Sequence, residues 1–347
     1  MLEALPLLLA LLTGTQSTGT QSTGTQTTGP RTTGDQQLAT PEPMRPLERL
    51  ANGSWHVTFQ SGRVQSDTFA WGPGRHSMRI ETHGPQANGD PSQRGVDVLY
   101  WHPGTETIRL LGIDAAGRRQ LGTLRPAGDT LHVDYEFFSH YFRPAEHREL
   151  AARYAFEGED RLVYTLLEDG GSGLQPLVEL DYARADGPVA PHPEQDHLPP
   201  AEELEPLRWL VGPTWSATAT SDAGAELRIR SRFAFVPNAH ALHGRTEVST
   251  AGGPFVLIRD LYVHAFPRDG TLRVLALDAS GRVEEGSLRV DAAGSLALDL
   301  RATRGSDAFA LERSIRLGPD GSWTEQDRER TPSGSRVVHS RSFTRDE

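Results

Sequence analysis

The chain has no cysteine and no lysine; every basic residue other than histidine is an arginine. Without cysteine there is no disulfide, no thiolate metal site and no cysteine nucleophile, and the redox compartment is left open. Basicity carried by arginine alone would suit forked recognition of phosphate or carboxylate. Against that, the arginines are scattered along the chain and outnumbered, with 35 basic residues facing 46 acids for a net charge of −11. That distribution fits codon bias in a high-GC genome and leaves no nucleic-acid footprint. Long apolar runs are also scarce. The apolar core Leu5–Leu12 of MLEALPLLLALLTG is too short to span a bilayer, and no later segment is apolar enough to do so. Missing too are Gly-x-Ser-x-Gly, Gly-x-Gly-x-x-Gly and a phosphate loop in a strand–helix setting, so neither a nucleophile elbow nor a nucleotide cradle is indicated.

What is present is glycine and proline, 35 and 24 of 347 residues, with 36% hydrophobic residues, the balance of a loop-rich β protein with room for two domains. Residues 1–43 form a weak signal-like segment and a Thr/Gly/Gln-rich tract. The Leu5–Leu12 stretch resembles a secretory h-region, though it lacks a positive n-region and an Ala-x-Ala site. The repeated Thr-Gln-Ser/Thr-Thr-Gly unit that follows has almost nothing to bury and is expected to be disordered. Together they suggest a secreted or periplasmic protein on a flexible stalk, with a cytoplasmic protein bearing a disordered tail as the alternative.

The rest of the chain is organised by PLRWLVGPTW (206–215) and its earlier echo PLERLANGSW (46–55). Leu204, Leu207 and Leu210 or Val211 recur at about helical spacing, as do Met44, Leu47 and Leu50, so each copy predicts a short helix or 3₁₀ turn, an apolar plug beside a tryptophan that opens a strand. About ten short segments follow each tryptophan, punctuated by turn residues such as Asp114-Ala-Ala-Gly117. The two halves are copies. Thr107–Arg118 (TIRLLGIDAAGR) recurs as Thr271–Arg282 (TLRVLALDASGR), 164 positions later. Phe69-Ala-Trp71 matches Phe233-Ala-Phe235, Leu99–His102 matches Leu261–His264, and Gly122-Thr-Leu matches Gly286-Ser-Leu. With no long helix and no parallel crossover, each half predicts an antiparallel up-and-down β-barrel, closed to remove its edges, and a sandwich is the competing architecture. The expected layout is an all-β protein with barrels at 44–186 and 206–347 joined by a proline-rich linker at 187–205.

The run PLRWLVGPTW, then FAFVPNAHALHGRTEV, the Leu-Asp-x-x-Gly-Arg turn and a last strand ending in Phe-Thr-Arg345 resembles the lipocalin-like (calycin) barrels of uncharacterised bacterial proteins of the DUF1579 type. The resemblance covers most of the second half and, more loosely, the first, where Arg49 and Ala51 replace Trp209 and Val211. It implies a barrel with an interior cavity and no established activity. His339, in the last strand six residues before Arg345, is placed similarly to the proximal haem ligand of nitrobindin, although the glycine-rich opening motif of that protein is absent and Trp215 is followed by Ser-Ala-Thr-Ala.

Candidate chemistry is sparse. Trp71 and Phe235, and Tyr100 and Tyr262, are aromatic at matching positions and are the candidates for cavity contacts, with His264 beside them; filling of the core is their alternative role. His339 is the candidate haem iron ligand, with a hydrogen-bonded strand histidine as the alternative. His132, Asp134 and Glu136 alternate on one strand face and would hold a metal if that face were not simply the wet side of a sheet. His140 and His147 lie near them, and His192 and His197 fall in the linker. Glu325 and Asp327 share a strand face with Trp323, for which solvation is the default expectation. Three functions follow: a barrel holding a small apolar molecule, a filled non-catalytic barrel making envelope contacts, and, third, a barrel-mouth isomerase or hydrolase using His264 or His132.

Overall fold

The computed structural model describes residues 39–51, 53–85, 91–139, 147–187, 200–221, 224–236, 239–250, 253–331 and 334–346. The signal-like stretch Leu5–Leu12, the Thr/Gly tract up to residue 38, the linker residues 188–199, and His140, His192 and His197 lie outside the described residues.

Two closed antiparallel barrels of ten strands each follow one another along the chain. Every strand pairs with its sequence neighbours, and the first pairs with the last: Gly53–Thr58 with Leu174–Ala185, and Thr214–Thr220 with Gly334–Arg345. Tight turns make these hairpins. At Asp114–Gly117 the aspartate Oδ1 accepts from the backbone N–H groups of Ala116 and Arg118, both at 2.9 Å, and Gly117 takes a φ of +79°. Asp278–Gly281 repeats the arrangement.

The plugs are 3₁₀ helices, Glu42–Leu47 and Glu202–Leu210. A spacing of three stacks side chains on one face of a 3₁₀ helix, and Met44, Leu47, Leu204 and Leu207 are fully buried. The second plug begins inside the stretch read as linker. Beneath each plug lies its tryptophan, with no exposed surface. The Trp215 indole N–H donates to Leu210 O at 2.9 Å; Arg345 covers the ring at 5.0 Å, as Arg184 covers Trp55 at 4.4 Å. Trp215 meets Trp323 edge-on at 6.1 Å, and Trp323 stacks on Phe343 at 4.0 Å.

The strand ladders carry the duplication further than the sequence did. The pairing irregularities coincide: Arg94 is the extra residue opposite Thr82/His83 and Ile258 the extra residue opposite Thr246/Glu247. Leu177 and Val338 are likewise matching extra residues in the two last strands. The ladders also correct one match. Tyr100 lies opposite Arg109 and His264 opposite Arg273, so Tyr100 corresponds to His264, and Tyr262 to Val98. The resemblance of Leu-Tyr-Trp-His to Leu-Tyr-Val-His is a two-residue slip along a strand, which keeps the same face.

The barrels pack side against side. The seam between them buries Val96, Val98, Tyr100, Leu111, Ile113, Ala241, Tyr262, Leu275, Leu277 and Val283. It has an approximate two-fold axis. Gly117 packs on His240 while its counterpart Gly281 packs on His76, itself the counterpart of His240. Arg79 and His243, which are equivalent positions, meet each other at 3.2 Å.

Candidate ligand-binding site

Inside the first barrel, above its plug, is a cavity of about 160 Å³. Its walls include Leu50, Phe69, Ile80, Leu99, Leu124 and Val133. Its polar lining is Asp67, Asp97, Gln65, Gln120, Thr82 and the four phenols of Tyr135, Tyr154, Tyr164 and Tyr182. Strand alternation explains the set. Gln65, Asp67 and Phe69 are two apart on Val64–Trp71, so all three face inward, and Tyr182 reaches the same face from the last strand. The Gln65 amide donates to Tyr182 Oη at 3.0 Å, and Tyr154 and Tyr164 pack with ring centroids 5.0 Å apart.

The two carboxyls dominate the electrostatics. Burial pushes Asp67 up to about 6, while hydrogen bonds from Thr82, Tyr182 and Gln65 pull it partly back. Burial pushes Asp97 up to about 7, helped by the charges of Asp67 and Asp114. Asp67 Oδ1 has no hydrogen-bond partner and is shielded from solvent. Burial raises all four phenols, so they stay protonated and able to donate. Room for Asp97 comes from Gly112 on the adjacent strand, where a Cβ would lie 2.5 Å from Asp97 Oδ1. In the second barrel the corresponding pair is Leu261 and Ala276.

The second barrel builds the same layer differently. At the positions of Ala152, Tyr164, Leu166 and Leu180 stand Arg313, Glu325, Asp327 and Arg341. Arg313, almost wholly buried, holds Asp327 through two bonds of 2.7 and 2.8 Å and Glu284 at 2.9 Å. Arg259 and Arg282 also reach Glu284, at 2.6 and 2.8 Å. Burial still pushes Glu284 up to about 8, the Arg282 charge opposing it. Below these groups the interior is packed down to about 60 Å³. Glu325 and Asp327 are therefore buried in an ion network, not solvated as their alternation suggested.

The residues expected from sequence fall elsewhere. Tyr100, Tyr262 and His264 point outward from their barrels into the seam. Tyr100 donates to Glu285 at 2.6 Å, where Arg109 and His102 also converge. Tyr262 stacks on His243 at 4.6 Å, and His243 is hydrogen-bonded to Asp260 at 3.0 Å. His264 Nδ1 accepts from Arg119 at 3.0 Å; burial and the Arg119 charge push it down to about 3, so it is a neutral acceptor. Trp71 and Phe235 do face inward but sit at barrel ends, half-buried against the two cores. On these two strands the aromatic residues that line the interiors are Phe69 and Phe233, two residues earlier. Asp134 and Glu136 are exposed on the outer face, Asp134 paired with Arg125, and no group of three metal-ligating side chains occurs among the described residues. His339 lines the mouth of the second barrel with Arg259, Arg282, Arg313 and Arg341 and their carboxylate partners. A ring of ion pairs does not fit the broad apolar faces of a haem.

Sequence reasoning missed Asp67, Asp97 and the four tyrosines. The one visible signal was Gly112 in TIRLLGID, where the copy TLRVLALD has Ala276: a loss of side-chain volume paired with a gain of a carboxyl on the neighbouring strand.

No known protein-family model matches the chain, and no curated protein does. Among solved structures it is similar to the crystal structure of a protein of unknown function from the DUF3598 family of Nostoc punctiforme, 12% identical, covering 88% of this chain and 98% of that one with a TM-score of 0.22. A likeness that slight carries no argument about function. It does bear a different family name, and with no family match the DUF1579 resemblance is not upheld. The barrels themselves rest on the strand ladders. Among the described residues no helix is long and apolar enough to cross a membrane.

Proposed function

We propose that the first barrel is a binding protein for a small molecule with an apolar body and a basic nitrogen. The observation that carries this is Asp67, which lines the cavity with Asp97 among apolar side chains, phenols, two glutamines and a threonine, and whose Oδ1 has no partner. A carboxylate oxygen shielded from water and left unpaired is costly, and a bound ammonium would relieve it. An apolar cavity of about 150 Å³ holds benzene, so the ligand is a single ring or its equivalent. A ligand with no basic group, as the small apolar molecule expected from sequence would be, leaves both carboxyls unanswered. The second barrel, packed below its ion layer, serves in this reading as the wall against which the first is held.

Benzylamine and benzyl alcohol, titrated into the full chain and followed through the tyrosine ring resonances, test it. Benzylamine is expected to bind and the alcohol not. Its affinity should fall about tenfold between about pH 8 and pH 5, as the carboxyls protonate, and comparably in Asp67→Asn. Equal binding of the two compounds, or of neither, overturns the proposal.

A further inference from the structure

We infer that the mouth of the second barrel is a separate site for a small organic acid, its carboxylate received by Arg341 and His339 and its body by Ile258, Phe309 and Leu311. The mouth encloses about 530 Å³, within the roughly 300–1,000 Å³ of small-molecule sites. Three nitrogens of its lining residues, Arg282 Nε, Arg341 Nε and His339 Nε2, are shielded from solvent and make no hydrogen bond; Arg282 Nε still has Asp278 at 3.2 Å, which leaves Arg341 and His339. Buried donors without partners are uncommon enough to need a reason.

The nearby carboxylates do not supply one. Asp327 is held in a fork by Arg313, Asp278 lies 3.2 Å from Arg282, and Glu329 lies 2.7 Å from Arg336. Glu284 is shared by Arg259, Arg282 and Arg313. Glu325 remains, directly across the ladder from Arg341, yet its close approach is to Arg313 at 3.8 Å. Burial holds the Arg341 guanidinium below the usual arginine range, with Glu325 and Asp327 opposing the shift. His339 is also lowered, by burial and then by the Arg341 charge, which leaves the imidazole neutral. A planar carboxylate fits the fork of an arginine in two bonds, which an ammonium-bearing side chain could not match.

Two comparisons within the chain point the same way. Val338 is the extra residue of a bulge, and bulges at barrel rims re-aim the side chain that follows; here that side chain is His339. The first barrel keeps the bulge at Leu177 but has Val178 and Leu180 where the second has His339 and Arg341. The pair is thus an addition that the fold does not require.

Benzoate, benzyl alcohol and inorganic phosphate, each titrated into the full chain, test the inference through the Nε–H resonance of Arg341. Benzoate is expected to move it saturably, and the alcohol and phosphate to leave it within error. In Arg341→Leu and His339→Val, which install the side chains of Leu180 and Val178, benzoate affinity read by titration calorimetry should drop at least about tenfold. Benzylamine bound in the first barrel should not move the Arg341 resonance, which keeps the two sites distinguishable. The inference is overturned if benzoate does not bind, if the alcohol or phosphate binds as well as benzoate, or if the His339→Val chain binds benzoate undiminished. If Arg341→Leu does not fold, the wild-type comparison and His339→Val still separate these outcomes.

Discussion

Asp97 sits between Val96 and Val98, both almost fully buried, on a strand with protein on either side. The two valines turn toward the other barrel and the aspartate toward its own cavity. A carboxyl in that position stores free energy that depends on pH. Because burial raises Asp67 to about 6 and Asp97 to about 7, the folded chain binds more protons than the unfolded chain between their ordinary value and those values. Stability from this pair is therefore fully present below about pH 4 and is lost as pH rises through 6 and 7. Asp97→Asn removes the carboxyl that burial and the neighbouring Asp67 and Asp114 charges strain most. The variant is expected to be on the order of 2 kcal/mol more stable than wild type at about pH 8, with the difference shrinking toward pH 5. Urea midpoints across that range check it; a variant less stable at pH 8 would mean the carboxyl is not strained.

At the level of elements, the plug and its tryptophan form the base of each cylinder. Trp215 is packed by Trp209, Trp323, Arg345 and the plug carbonyl of Leu210. Trp215→Ala is expected to cost about 3–5 kcal/mol, the range for deleting a buried aromatic, read from chemical denaturation; a loss under about 1 kcal/mol would contradict its place in the core. These elements were legible because their signals are local. A spacing of three through Leu204, Leu207 and Leu210 stacks one face, and Asp-x-x-Gly makes a turn wherever it stands. Which wall of a barrel faces its twin was not legible. Thr107–Asp114 has the burial pattern of a strand covered on both sides, so TIRLLGID loses the alternation that would tell inside from outside. The match of Leu-Tyr-Trp-His to Leu-Tyr-Val-His singles out Tyr100, Tyr262 and His264 without telling which side of the wall they face. Asp67 and Asp97 failed in the opposite sense, since a charged residue in a strand ordinarily marks the wet face.

For the whole molecule, the seam decides whether the two barrels behave as one body. Gly117 and Gly281 both have positive φ and both pack against a histidine of the other barrel, where a Cβ would come within 2.9 Å of His240 and 2.8 Å of His76. Gly117→Ala and Gly281→Ala should each destabilise by about 1–3 kcal/mol through backbone strain alone. Because the sites are related by the axis, their costs should agree closely, and the double variant should separate a single thermal transition into two. Calorimetry checks this. A large cost at one glycine and none at the other would mean the axis is only apparent.

Arg79 and His243 occupy that axis. In a pair of identical subunits, any residue on the dyad confronts its own copy, so an arginine there would meet an arginine, and every substitution would be made twice. A fused chain is released from that rule. Once the halves were encoded separately, one side of the dyad was free to be guanidinium and the other imidazole, with Asp260 on one flank alone. The same release allowed one cylinder to fill its polar layer with phenols and carboxyls and the other with arginines. Joining the halves thus let two interiors of unlike chemistry stand in one polypeptide.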